Sequence, residues 1–392
     1  MENFMFNINQ ISSISFGSGI RNQLGSALAK YNLSKVLVIT DEFLKNSGLI
    51  DDIIKSIELA GINVCIFEGA KPENPSTIVG NCAEFAKNER VEAFIGVGGG
   101  SVLDLAKSSR ILMSNPAPIN LYFDINRPRV SSHLPLILIP TTSGTSSEVS
   151  HGAMVFDPIN NSKHGLSGED LAPTLSYIDP ELTAGMPSQI TAYTGIDCFC
   201  HSAESLTSGF NENPLTDLLA TEALRIINNN LLIAITDGSN HNAREMMSLA
   251  CIWSGIAFDN APPHLAHAIG HAIGAKNHVP HGEAVGAILP SVISWAANYK
   301  PEKVRMIADS MSLQLNDSAL PNELGIKVGN AIRKLYLDCG CRPIHQLINE
   351  NDIPIISKIA MDDLACYCVP YPISFDLIKD LIKKEVTLQA DY

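Results

Sequence analysis

The chain has 392 residues, long for one domain and short for three. Hydrophobic residues make up 45% and charged residues 17%, ample for a sizeable core, which excludes a disordered chain. Against 41 acidic residues stand 27 Lys plus Arg, and a net charge of −14 repels nucleic acid and anionic membrane surfaces.

The opening residues Met1 to Asn7 carry neither a basic nor an apolar targeting segment, so no secretory leader is expected. No apolar run approaches the roughly 18 residues of a membrane span. Nine cysteines, an odd number scattered among apolar residues, suit reduced thiols in a cytoplasmic protein. Three C-x-C pairs, Cys198/Cys200, Cys339/Cys341 and Cys366/Cys368, lack the usual C-x2-C zinc spacing, and buried thiols are expected there.

Four β-rich runs follow one another in the first half: 35–40, 63–67, 93–97 and 134–139. Segments 47–60 and 76–88 between them have apolar residues at helical spacing. Near-continuous apolar strands separated by helices imply a parallel sheet covered on both faces. Beyond about residue 185 the 3.6-residue period dominates, at 214–229, 243–258 and 325–336, with no strand partners. The expected fold is an α/β domain over residues 1–184 and an all-helical domain over 185–392.

Gly96-Val97-Gly98-Gly99-Gly100-Ser101 leaves a strand and opens an amphipathic helix. Glycines allow close backbone approach, and a helix N-terminus offers free N–H groups and partial positive charge, a combination suited to pyrophosphate. Ser101 occupies the third glycine position of G-x-G-x-x-G, so the fingerprint is incomplete. Ser101 and Asp104 form a capping pattern, as do Thr145 and Glu148. Asp41, just after a strand, suits either a ribose 2′-hydroxyl contact or a helix cap. It precedes the glycine turn, unlike the usual dinucleotide-binding order. The hydroxyl-rich stretch Pro140 to Glu148 also follows a strand, where open α/β sheets bind ligands.

Asp197 and His201 are four residues apart and share a helical face. Five of 11 histidines fall between His264 and His281: His264, His267, His271, His278 and His281. Imidazoles at helical spacing among Ala, Ile, Leu and Gly are hard to bury without a shared partner. A first-row divalent metal is the natural one, and spacing alone selects neither Fe(II) from Zn(II) nor the ligands among the histidines.

These motifs, in this order, resemble the iron-dependent (group III) alcohol dehydrogenase family across essentially the whole chain. The matching residues are Gly98-Gly99-Gly100-Ser101 with Asp104 and Lys107, and Pro140-Thr141-Thr142 with Gly144-Thr145 and Glu148. To these add Gly195-Ile196-Asp197 with His201, and His267-x3-His271-x9-His281-Gly282. The resemblance implies an N-terminal dinucleotide-binding domain, a C-terminal helical metal-binding domain and an active site in the cleft between them. It implies metal ligation by Asp197, His201, His267 and His281, with Fe(II) as the expected metal and Zn(II) as the alternative. His271 matches a histidine near the nicotinamide and substrate, a candidate proton relay or a supporting group. Asp41 matches the ribose-binding acid, implying NAD(H). Asn74, Gly99, Gly100, Ser101, Thr141, Thr142, Thr145, Lys163 and Leu182 match cofactor-contact positions.

The implied reaction is hydride transfer between NAD(H) and a small alcohol or aldehyde, with the metal polarising the substrate oxygen. The alternative is a dehydroquinate-synthase-like lyase using NAD and zinc, and a third reading is a non-catalytic metal- or nucleotide-binding protein. His151-Gly152, Pro262-Pro263-His264 and Glu283 depart from the family pattern and bear on substrate choice. An anionic aldehyde would need a local positive site, for which Lys163 and His151 are the candidates. The resemblance also implies a homo-oligomer.

Overall fold

The apolar runs of the first half become strands of one sheet. We describe a computed structural model of the chain over residues 5–9, 12–124, 126–316 and 318–390. Residues Met1–Phe4, part of the stretch read as lacking a leader, lie outside the described residues. The strands are β1 (Ser13–Phe16), β2 (Lys35–Ile39), β3 (Asn63–Phe67), β4 (Ala93–Gly98), β5 (Leu136–Pro140), β6 (Gly152–Asp157), β7 (Ser162–Ser167) and β8 (Leu175–Ile178). Six form a sheet in the order β1-β8-β5-β4-β2-β3, and every pairing within it is parallel. β6 and β7 make a separate antiparallel pair.

Alternate residues of each central strand enter opposite cores. Leu37, Ile39, Phe94, Leu136 and Leu138 pack on one face, and Val36, Val38, Ile95, Val97, Ile137 and Ile139 on the other. Period-2 geometry with both faces covered turns an apolar run into a buried parallel strand. β1, β8 and the β6–β7 pair escape sequence reading. β1 and β8 are short and β7 is polar, as Ser162-Lys163-His164-Gly165-Leu166-Ser167, and pairing fixes them where propensity does not.

The order of connections places a crevice. From β2 the chain steps outward to β3, then returns across β2 to β4. β2 and β4 are neighbours in register, Ile39 beside Gly96, so their carboxyl ends flank the point where the strand order reverses.

The chain divides between Gly185 and Met186 into two compact units, and residues 5–9 belong with the second. In that second unit Asn9 N–H donates to Asn260 Oδ1 at 2.8 Å. The periodic segments expected at 214–229, 243–258 and 325–336 extend to helices Pro214–Thr236, His241–Asn260 and Pro321–Asp338. Asn213 and Asn240 cap the first two, accepting from Thr216 N–H and Ala243 N–H. Pro214–Thr236 is long and apolar enough to cross a membrane by length and composition, against expectation. Its Leu224, Ile227 and Leu231 are buried in the helical core beside Phe199 and Ile288.

Candidate functional site

Three helices of the second unit carry the histidine and carboxylate constellation. Ser188–Thr207 holds Asp197 and His201, Leu265–Asn277 holds His267 and His271, and His281–Ala296 begins at His281. One ligand atom from each of Asp197, His201, His267 and His281 lies within 4.8 Å of all the others. Asp197 Oδ1 is 3.3 Å from His281 Nε2, 3.8 Å from His267 Nε2 and 4.0 Å from His201 Nε2.

Gly282 permits that convergence. A Cβ there would lie 2.0 Å from the carbonyl oxygen of Tyr193 and 3.0 Å from Asp197 Cβ. Without a side chain at this position, the helix start bearing His281 lies directly against the turn bearing Asp197.

Burial alone would push the Asp197 carboxyl up, yet His201, His281 and His267 outweigh it and hold it well below the usual range. Burial also pushes His267 well down, helped by His201 and His281, and lowers His201. A carboxylate beside neutral imidazoles at His201 and His267 is the ligating form of these groups. Asp197 Oδ1 and His267 Nε2 are buried and have no hydrogen-bond partner. Buried polar atoms are ordinarily paired, so these two orphans, aimed at one point, fit a cation.

Two acidic residues without an assigned role in the sequence reading support the histidines. Glu204, wholly buried, sits on the helical face of Asp197 and His201, and its Oε2 lies 2.5 Å from His267 Nδ1. Burial pushes its carboxyl up, opposed by His264 and by the N–H groups of Ala266 and His267. The heptad step from Asp197 to Glu204 was the available signal. Asp363 Oδ2 lies 2.9 Å from His271 Nδ1, and its Oδ1 accepts from Ala365 N–H. No local pattern marks Asp363, because its partner is 92 positions away in sequence. Phe258 lies beside His201, ring centroids 4.5 Å apart.

The first unit gathers the other candidate residues. Gly99 caps the helix Gly100–Ser114, which begins at the end of β4. A Cβ on Gly100 would meet Thr145 Cγ2 at 2.6 Å, so the glycine turn and the threonine loop are packed together. Thr141 N–H donates to Gly98 O at 3.0 Å, and Thr142 lies against Gly99. Ser101 Oγ accepts from Glu73 N–H at 3.2 Å. Buried Asn74 donates to Met154 O, and Lys163 pairs with Glu73 at 2.7 Å. Asp41, at the end of β2, accepts from Leu44 N–H at 2.8 Å and caps Glu42–Asn46. Leu182 is buried among the sheet-face residues that include Val38 and Val97.

One expected capping pattern is corrected. Gly99, not Ser101, is the cap, and Asp104 turns away from it to accept from Ser147 Oγ at 2.6 Å and Met154 N–H at 3.0 Å. Near Thr145 and Glu148, the short helix Ser147–Val149 begins after left-handed Ser146, and Thr145 Oγ1 accepts from Ser147 N–H at 3.4 Å. At Asp104 the tertiary partners outcompete local capping.

The departures from the family pattern also find places. Glu283 is buried and accepts from Arg342 Nε at 3.0 Å and Nη2 at 2.7 Å. His264 precedes the helix Leu265–Asn277, with Nε2 2.9 Å from Thr207 Oγ1. His151 is buried, and Lys107 Nζ donates to the carbonyls flanking it, Ser150 O at 2.8 Å and Gly152 O at 2.7 Å. The nine cysteines are all free thiols, and none takes part in the four-ligand cluster.

Comparison with known proteins agrees with this geometry. The family model for iron-containing alcohol dehydrogenase matches residues 12–180, and that for the family's C-terminal domain matches residues 191–386. The chain is 33% identical to the sulfoacetaldehyde reductase of Bilophila wadsworthia (strain 3_1_6), covering 76% of this chain and 77% of that protein. It is 29% identical to the NAD-dependent methanol dehydrogenase of Bacillus methanolicus, covering 94% and 96%. A crystal structure of 1,3-propanediol oxidoreductase superposes with a TM-score of 0.90 at 29% identity, covering 97% of this chain and all of that one. The chain belongs to the iron-containing alcohol dehydrogenase family and is an alcohol/aldehyde oxidoreductase. The lyase alternative is not favoured.

Proposed function

We propose that this enzyme interconverts small alcohols and aldehydes with NAD(H), using a divalent ion, Fe(II) in preference to Zn(II), held by Asp197, His201, His267 and His281. The observation that carries this reading is the pair of buried, unpartnered atoms Asp197 Oδ1 and His267 Nε2 within a four-ligand cluster. The ion, when bound, supplies Lewis acidity toward the substrate oxygen. NAD(H) supplies and accepts the hydride.

The chain's own groups orient the reaction and manage its proton. The unit that ends at Gly185 is the dinucleotide domain, and in it Asp41 would contact the ribose hydroxyls, with Oδ1 already engaged by Leu44 N–H. Its charge disfavours a 2′-phosphate and favours NAD(H) over NADP(H). Gly99, Gly100 and Ser101 present the helix N-terminus to pyrophosphate. Asn74, Thr141, Thr142, Thr145, Lys163 and Leu182 complete the cofactor contacts. The unit that begins at Met186, with residues 5–9, is the metal-binding domain.

Asp363 holds Nδ1 of His271. That leaves His271 Nε2 to exchange a proton between the substrate hydroxyl and water. Lys163 has its charge matched by Glu73. An anionic aldehyde would therefore recruit it only by displacing that partner.

The decisive assay follows NADH oxidation with an aldehyde panel, including sulfoacetaldehyde, before and after chelation and refilling with Fe(II) or Zn(II). Turnover that vanishes on chelation and returns on refilling supports the reading. No turnover with any metal overturns it. We place the enzyme in the cytoplasm, in keeping with nine free thiols, and as a homo-oligomer, to be read by light scattering.

A further inference from the structure

Glu204 makes contacts beyond ordinary helix packing. It lies one helical turn after His201, wholly buried, within a segment of small and apolar residues. Its two oxygens face the first turn of the helix Leu265–Asn277. Ala266 N–H donates to Oε1 at 2.7 Å, and His267 N–H donates to Oε2 at 3.2 Å. The ring Nδ1 of the same histidine lies 2.5 Å from Oε2, and His264 Nδ1 lies 3.2 Å from Oε1. One carboxylate thus grips both the backbone and the ring of His267.

We propose that Glu204 is a positioning residue that sets the tautomer and aim of His267 for the metal, an inference that rests on the four-ligand reading above. Both carboxylate oxygens accept backbone N–H groups, so Glu204 meets His267 Nδ1 as an acceptor and places the ring proton there. That leaves Nε2 unprotonated, 3.8 Å from Asp197 Oδ1. Nε2 is buried with no other partner, so the opposite tautomer would bury an unbonded N–H in the cluster. A carboxylate holding the far nitrogen of a ligating imidazole fixes ring orientation and raises its donor strength. Glu204 shares one helix with Asp197 and His201, so the same element provides two ligands and aims a third.

Glutamine is the informative substitution, because its amide NH2 cannot accept. In either orientation of Glu204→Gln, one of the two oxygen positions loses its acceptor. Metal-stripped protein is titrated with Co(II), and affinity is read by chelator competition alongside the visible absorption of the bound ion. Glu204→Gln should weaken Co(II) binding about 10- to 100-fold, with altered absorption bands and an unchanged far-UV circular dichroism spectrum of the metal-free protein. In a His267→Ala background, Glu204→Gln should shift the residual affinity by no more than about twofold, since the residue it aims is gone. If Glu204→Gln fails to fold, Glu204→Asp is carried through the same cycle; it keeps an acceptor-only group but draws it back, and the same dependence on His267 is expected.

Native-like affinity in the folded variant, or an equal loss with and without His267, overturns the proposal while leaving the four-ligand site standing. Absence of Co(II) binding by the native chain overturns the four-ligand reading itself, and this inference with it.

Discussion

His281 Nε2 lies 3.3 Å from Asp197 Oδ1, although the two side chains arrive on different helices. The approach depends on the residue after the histidine. Tyr193 O would be 2.0 Å from a Cβ at position 282, closer than any real contact. Gly282 is therefore as much a part of the cluster's geometry as the four side chains.

Gly282→Ala should force the helix starting at His281 away from Tyr193. Overpacking of this kind costs about 1–3 kcal/mol. The specific expectation is that metal affinity falls along with stability, because His281 moves with its helix. Chemical denaturation and Co(II) titration of the variant check this. Native metal affinity would show that Asp197 and His281 are not held together by this packing.

Asp41 has an observed role as a helix cap and a proposed one at the ribose, and the two can be separated. Asparagine caps helices as well as aspartate, so Asp41→Asn should preserve the cap on Leu44 N–H while removing the charge. The ratio of kcat/KM for NADPH to that for NADH should rise by about tenfold or more, the scale of about 1.4 kcal/mol of relieved repulsion. Steady-state kinetics with both cofactors measure it. An unchanged ratio assigns Asp41 to capping alone.

Glu385 and Arg333 form a buried pair in the helical unit, with Nε at 2.6 Å from Oε1 and Nη2 at 2.9 Å from Oε2. Ser291 and Gln389 also donate to the same carboxylate. Removing one partner leaves an uncompensated buried charge, which costs about 3–5 kcal/mol. Urea unfolding of Glu385→Ala should show that loss, carried by the unit spanning residues 186–390. A loss below about 1 kcal/mol, the scale of an exposed pair, would contradict it.

Burial raises the thiols of Cys82, Cys339 and Cys366 to about 12. Alkylation proceeds through the thiolate, so a raised value moves reactivity to higher pH and leaves about one thiolate in 10⁴ at pH 8. Iodoacetamide at pH 8 should leave these three unmodified in the folded protein. All nine cysteines should react in denaturant, as intact and peptide masses will show. Rapid labelling of Cys339 without unfolding would contradict its buried environment.

The histidine and carboxylate constellation is legible in sequence because helical spacing is local, while the choice of four members as ligands comes from the family resemblance. Asp197 with His201, and His267 with His271, each repeat within one turn, and imidazoles among alanines need a common partner. Glu204 was within the same reach, seven residues after Asp197, but an acid on an apolar face does not name its partner. Asp363 carried no signal, because only tertiary folding brings it to His271. Asp41 shows the reverse case. Its place before the glycine turn looks foreign to a dinucleotide fold until the parallel pairing of β2 with β4 sets their ends side by side. The capping reading at Ser101 fails because Asp104 and Ser147 find each other across the fold instead.

Metal content tests the central claim most directly. Protein purified without oxygen should carry about one equivalent of a divalent transition metal per chain, the occupancy expected of one four-ligand site. His267→Ala should lose that metal and the alcohol/aldehyde activity while keeping its helical circular dichroism signal. A His267→Ala variant that retains one tightly bound metal and full activity would contradict the account.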